Sequence, residues 1–202
     1  MTRGRREGSS FEVVPPEGVP AILDRLAEIS AAWIAAKSAR EKGFSLGRFD
    51  RAYLARLPVA VIRRGGLIVA FANLWPTPDR HELSIDLMRY GPEAPREVME
   101  HLFLELMLWG KAEGYRRFDL GMAPLSGLES RQLAPILSQA GAQIFQHGED
   151  FYNFEGLRRY KQKFHPVWEP RYLAAPGGLT LARVLADATL LIGGGVKGVL
   201  GK

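Results

Sequence analysis

Phe118-Asp-Leu-Gly-Met-Ala-Pro-Leu-Ser-Gly127 is the stretch on which the reading of this chain turns. Phe118 and Leu120 begin it as a short buried strand, Gly121 breaks that strand, Pro124 turns the chain, and Ser126 stands as the N-cap of a following helix. A strand that ends in glycine and leads into a capped helix exposes backbone N–H groups beside a cleft, which suits an anionic or polarised ligand. The same pattern also describes a plain turn, and the stretch alone leaves both readings open.

Outward from it, composition sets the bounds. A chain of 202 residues, 47% hydrophobic and 24% charged, fits one globular domain with a substantial core. The net charge of +5 favours an anionic partner: nucleic acid, anionic lipid or a phosphorylated substrate. Without cysteine there is no disulfide, thiolate metal site or cysteine nucleophile. His81, His101, His147 and His165 are scattered without metal-ligand spacing, so no metal is expected. The basic, polar start is not a signal peptide, and no run of about twenty apolar residues reads as a membrane span.

Residues 1–10 read as a flexible basic leader, 11–175 as the working domain, and 176–202 as an apolar C-terminal helix suited to a membrane surface or to packing on a domain. Within the domain, Phe11 to Val14 reads as a strand closed by Pro15-Pro16. Val19, Ile22, Leu23, Leu26, Ile29, Trp33 and Ile34 mark a helix from Glu17 to Lys37. A brief helix follows from Asp50 to Arg56. Pro58 to Ile62 and Leu67 to Asn73 form a hairpin across Arg63-Arg64-Gly65-Gly66. Glu82 to Met88 is a further strand, Pro95 to Glu113 a long helix, Ser130 to Gln139 another, Phe145 to Phe154 extended, and Glu155 to Phe164 a short basic helix. Tyr172-Leu173 reads as a last strand. This order implies an α+β (α/β-like) fold with a mixed central sheet flanked by helices.

Four ordered blocks carry a resemblance over nearly the whole chain from about Phe11: Phe44-Ser-Leu-Gly-Arg-Phe-Asp50, Ser84-Ile-Asp-Leu-Met-Arg-Tyr90, the opening stretch, and Phe151-Tyr-Asn-Phe-Glu-Gly-Leu-Arg-Arg-Tyr-Lys-Gln-Lys-Phe164 running on to Pro166-Val-Trp-Glu-Pro-Arg-Tyr172. Together they resemble the C-terminal catalytic domain of the aminoacyl-phosphatidylglycerol synthases, the multiple peptide resistance factor family, which includes phosphatidylglycerol lysyltransferase and its alanyl counterpart. The resemblance implies a GNAT-type acyltransferase fold. It also implies transfer of a lysyl or alanyl group from aminoacyl-tRNA to the glycerol hydroxyl of phosphatidylglycerol. Work at the cytoplasmic face of the bacterial inner membrane, with resistance to cationic antimicrobial peptides, and no cofactor follow as expectations. Full-length members carry an N-terminal lobe and a membrane-embedded region that this sequence does not contain.

The resemblance also assigns residues. Asp86 acts on the lipid hydroxyl as general base or orienting group, and Arg89 holds the lipid phosphate through its planar fork. Read from the residues alone, this pair is equally a strand-end salt bridge. Strand alternation turns Ser84, Asp86 and Met88 one way. Asp119 serves the substrate α-amine or a buried ion pair, and Gly121, Met122 and Ser126 line the substrate with it. Tyr152 and Asn153 are placed to hydrogen-bond the aminoacyl group. Arg158, Arg159, Lys161 and Lys163, interleaved with aromatics, suit tRNA phosphates and unstacked bases, anionic headgroups, or a solvated helix face. GNAT enzymes that use acyl-CoA cradle its pyrophosphate on a Gly-rich turn after the central strand. Here that turn, Met88 to Arg96, has one Gly and two Pro, and proline has no N–H to give. A tRNA-dependent transferase acting on a peptide or cell-wall amine, and a non-catalytic lipid- or RNA-binding module, stand as alternatives.

Overall fold

The computed structural model describes residues 8–36, 48–123 and 154–172, together with Thr180, Arg183, Val184, Asp187 and Leu190. The chain divides into two compact units, Met1–Asp119 with Ala175–Lys202, and Leu120–Ala174. Ser126, Tyr152, Asn153 and the helix expected over Ser130 to Gln139 lie outside the described residues; of the extended run expected from Phe145 to Phe154 only Phe154 is described, and it begins a helix instead.

The first unit is built on a five-stranded sheet in the order β1-β2-β3-β4-β5: Ser9–Val14, Val59–Arg64, Leu67–Pro76, Glu82–Tyr90 and Arg117–Asp119. The first four strands pair antiparallel, and β5 joins β4 in parallel. β1 begins at Ser9, because the ladder to β2 extends from Val14–Val59 out to Ser9–Arg64. The β2–β3 turn is only Gly65-Gly66, with φ of +56° and +83°. Positive φ at both central positions lets a two-residue turn follow the strand twist, so Arg63 and Arg64 stay in β2.

Helices cover both faces. On one lie α1 (Leu23–Ala36) and the four-residue α2 (Arg51–Leu54), with Leu26, Ile29 and Leu54 packed on Val59, Val61, Phe71 and Leu87. On the other lies α3 (Val98–Ala112), with Leu102 and Leu106 in the cluster formed with Ile62, Ala70, Leu74 and Leu83. The helix expected from Glu17 starts as a 3₁₀ segment, Pro16–Ile22, because Pro20 inside it cannot donate an α-helical bond. The long helix expected from Pro95 begins at Val98, whose N–H closes a turn onto the Pro95 carbonyl at 3.0 Å.

β5 is shorter and less buried than Phe118 and Leu120 suggested: three residues, with Phe118 half-buried and Asp119 exposed. Gly121, at φ +76°, accounts for the break that follows. In the second unit α4 (Phe154–Gln162) is the expected basic helix. Tyr172 is 88% exposed in irregular chain, so the strand expected at Tyr172 does not form there.

Asn73 is fully buried on β3, and its Oδ1 accepts the Leu87 N–H at 2.7 Å. Asn73→Ala leaves that N–H without its partner in the core. The expected loss is about 1–3 kcal/mol of unfolding free energy, read from denaturant melts of the first unit. An unchanged midpoint would contradict the assignment.

Candidate active site

The site residues on β4 are set by a bulge. Leu74 stands opposite Ile85 and Ala72 opposite Met88, so Asp86 and Leu87 share the place opposite Asn73. One extra residue resets side-chain alternation from that point on. Leu83 and Met88 face the α3 side, whereas Leu87 joins the core under α1 and α2. Arg89 falls opposite Phe71, which belongs to that same core. The strict alternation expected of Ser84, Asp86 and Met88 is therefore corrected. Ser84 and Asp86 stay together, Met88 leaves them, and Arg89 comes round to the face of Asp86. In an unbroken strand two residues three apart would point to opposite faces.

Tyr53 is the hub of this face. Its hydroxyl donates to Asp86 Oδ2 at 2.8 Å. It accepts Trp75 Nε1–H at 2.6 Å and Asn73 Nδ2–H at 3.3 Å. Two N–H groups aimed at the phenolic oxygen fix the remaining direction, so the hydroxyl proton is committed to Asp86. Burial pushes the Tyr53 phenol above its ordinary value, and its hydrogen bond to the Asp86 carboxylate adds to the rise. Asp50 caps α2 by accepting the Tyr53 N–H at 2.8 Å, which sets the ring beside the sheet. Sequence reasoning stopped at Asp50 and missed Tyr53. The signal was an N-cap aspartate three residues before a tyrosine in the brief helix beyond the first block.

The guanidinium of Arg89 lies 4.1 Å from the centroid of the Trp33 ring on α1, and its Nη1 donates to the Met88 carbonyl at 3.0 Å. Stacking on indole holds the planar fork in a defined plane. The turn beyond it is closed by its own groups. Gly91 N–H is spent on the Val69 carbonyl at 2.8 Å, and Ala94 N–H on the Gly91 carbonyl at 3.1 Å. Pro92 and Pro95 have none to offer. Glu93 folds back onto its own N–H and pairs with Arg25, and these two contacts, in that order, hold its carboxyl below the usual range. A Cβ at Gly91 would meet Glu93 Oε2 at 2.5 Å, so the acidic group itself fills the space over the turn. A pyrophosphate would find negative charge there in place of N–H donors.

Beside Tyr53, an open groove of about 400 Å³ runs between the ends of β3 and β4, lined by Trp75, Thr77, Glu82 and Ser84 among others. Asp119 ends β5 and is exposed.

The second unit places Gly121, Met122 and Lys161 together. The Lys161 ammonium is buried and donates to the Gly121 carbonyl at 2.9 Å and the Met122 carbonyl at 2.8 Å. Lys161 is thus turned inward, whereas Arg159 on α4 and Lys163 just beyond it are exposed. Arg158 lies 5.2 Å from the Trp168 ring, whose Nε1 donates to Gln162 Oε1 at 2.8 Å.

A mixed sheet of four antiparallel strands and one parallel strand, helices on both faces and a bulged β4 define the α+β fold of a GNAT-type acyltransferase. The family described as phosphatidylglycerol lysyltransferase, C-terminal, matches residues 1–175, and the chain belongs to it. The chain is 40% identical over 192 residues to the phosphatidylglycerol lysyltransferase of Bacillus subtilis, covering 95% of itself and 22% of that protein. It is 37% identical over 165 residues to the enzyme of that name from Staphylococcus epidermidis, covering 81% of itself and 19% of that protein. It therefore spans about a fifth of the length of these relatives. Among solved structures, it matches a C-terminal domain named for lysylphosphatidylglycerol synthetase from Agrobacterium fabrum with a TM-score of 0.82 and 49% identity, over 97% of this chain and 58% of that one. L-PGS from Bacillus licheniformis matches with a TM-score of 0.75 and 40% identity, over 95% and 57%.

The neutral Tyr53 phenol makes a pH signature. Its folded value lies above the ordinary value of about 10, so its contribution to stability is full below about pH 10 and is lost as pH rises through the folded value. Following tyrosinate absorbance through an alkaline titration, Tyr53 should contribute a step above the ordinary range, and Tyr53→Phe should remove that step. A step unchanged by Tyr53→Phe would contradict the hydrogen-bond assignment.

Proposed function

We propose that this chain carries the transfer of an aminoacyl group, lysyl or alanyl, from aminoacyl-tRNA to the glycerol hydroxyl of phosphatidylglycerol. The observation that carries the reading is the β4 bulge, which sets Asp86, bonded to Tyr53, and Arg89, stacked on Trp33, on one face. Family membership supports it, as do the names of the relatives. The closed Met88–Arg96 turn favours a donor other than acyl-CoA.

In this reading Arg89 grips the lipid phosphodiester and Asp86 accepts the proton of the glycerol hydroxyl. The hydroxyl oxygen forms a bond to the ester carbonyl carbon, the bond from that carbon to the tRNA ribose oxygen breaks, and the proton passes to the departing ribose oxygen. The aminoacyl ester is already activated, so no covalent enzyme intermediate is required and positioning supplies much of the rate. Tyr53 orients Asp86. Asp119 contacts the α-amine of the donor, and, within the second unit, the Gly121–Met122 turn held by Lys161 and Ser126 are taken as donor contacts. Tyr152 and Asn153 bond the aminoacyl group, and Arg158 and Lys163 hold tRNA phosphates. The reaction takes place at the cytoplasmic face of the bacterial inner membrane, within a longer protein that adds an N-terminal lobe and a membrane-embedded region. A lysyl headgroup makes the surface less anionic and repels cationic antimicrobial peptides. Among the described residues no helix is long and apolar enough to cross a membrane.

The test is a transfer assay with phosphatidylglycerol vesicles and tRNA charged with labelled lysine or alanine, run on the chain and on the chain joined to the remaining length of a relative. Labelled lipid should form, and Asp86→Asn should lower the rate by about 10²-fold or more. Label moving to an amine acceptor, or an Asp86→Asn variant as active as the parent, would overturn the reading.

A further inference from the structure

Helix α1 does more than cover the sheet. Leu26, Ile29 and Trp33 follow one another at steps of three and four residues and share one stripe of the helix. Leu26 and Ile29 are buried in the core with Phe71 and Leu87. Trp33, one turn beyond Ile29, is half-buried and carries its ring past that core onto Arg89, which is itself half-buried near the end of β4. The guanidinium carbon lies 4.1 Å from the centroid of the ring, a distance at which the planar cation and the indole face are in contact.

The helix is anchored so that this contact has a fixed register. Arg25 lies about two turns before Trp33 on α1. It donates through Nε to the Ile68 carbonyl at 2.9 Å, through Nη1 to Glu28 Oε2 at 2.9 Å, and through Nη2 to Glu93 in the turn after β4. One guanidinium therefore ties α1 to β3 and to that turn at once. Arg25 sets where the helix lies along β4, and Trp33, about 12 Å further along the axis, acts on Arg89.

An arginine side chain that is free in solvent samples many rotamers, and a ligand that orders it gives up affinity to do so. Arg89 is ordered beforehand. Indole covers one face of its fork, and Nη1 is bonded to the Met88 carbonyl at 3.0 Å. The covered face directs a ligand to the plane of the guanidinium, the direction from which a phosphate oxygen accepts N–H bonds. Asp86 shares that face of the sheet. We propose that Trp33 is a positioning residue, which holds Arg89 in the plane in which its guanidinium receives the lipid phosphodiester. The proposal rests on the reading above in which Arg89 grips that phosphate.

The experiment is an NMR titration of the chain with glycerophosphoglycerol, the lipid headgroup without its acyl chains. The Arg89 Nε–H resonance, assigned by its loss in Arg89→Ala, reports the stack, and backbone amide shifts report binding. Before ligand is added, Trp33→Leu should remove the ring-current shielding of the Arg89 resonance, and Trp33→Phe should keep part of it. Trp33→Leu should then weaken headgroup binding about three- to thirtyfold, while Trp33→Phe, which restores an aromatic face, stays within about threefold of the parent. Arg89→Ala should cost at least about tenfold. Binding weakened by Arg89→Ala but unchanged by Trp33→Leu would overturn the proposal and leave the lipid reading of Arg89 standing. Equal losses in Trp33→Leu and Trp33→Phe would overturn it as well, because the aromatic face would then have no part. Binding unchanged by Arg89→Ala would sink the lipid reading of Arg89, and the proposal with it.

Discussion

The fold and the site meet at the buried side chain of Asn73. Its carbonyl takes the Leu87 N–H that the bulge removes from the regular ladder, and its amide N–H reaches Tyr53. A bulge in the middle of a sheet leaves an unpaired backbone group in a dry core, at a cost comparable to a lost hydrogen bond. One amide side chain offsets that cost and ties the bulge to α2. From this follow the shared face of Asp86 and Arg89, the orientation of the Tyr53 hydroxyl, and the position of Trp75 above the groove.

The turn after β4 completes the same economy of donors. Gly91 and Ala94 spend their N–H groups internally, two prolines contribute none, and Glu93 fills the remaining space with negative charge held by Arg25. A turn of this kind presents few free N–H donors and places a carboxylate over the space they would have faced. Arg89 is stacked on Trp33 just before that turn, which fixes the plane of its guanidinium.

Most of the elements could be read from the chain because their signals are local. The apolar period of α1 and α3 and the Gly65-Gly66 turn each act within a few residues. The bulge could not be read this way. Whether Asp86 and Leu87 share one partner depends on pairing with Asn73, thirteen and fourteen residues earlier, and sequence alternation assumes that no such slip occurs. Asp86 and Arg89 were found through the resemblance of their block, although alternation alone would have parted them. Tyr53 escaped notice because its role comes from three partners on β3 and β4. Lys161 looked like part of a cationic surface, yet its ammonium serves two carbonyls of the Gly121–Met122 turn, a contact spanning about forty residues of chain.

The central claim is that the bulge makes Asp86 and Arg89 act on one substrate. The most direct measurement is a double-mutant cycle on kcat/KM for aminoacyl transfer to phosphatidylglycerol, using Asp86→Asn, Arg89→Ala and the pair. Residues that work as a unit are strongly non-additive, so the double variant should lose little more than the worse single variant. Losses that multiply would mean that the two side chains act independently, and would contradict the account.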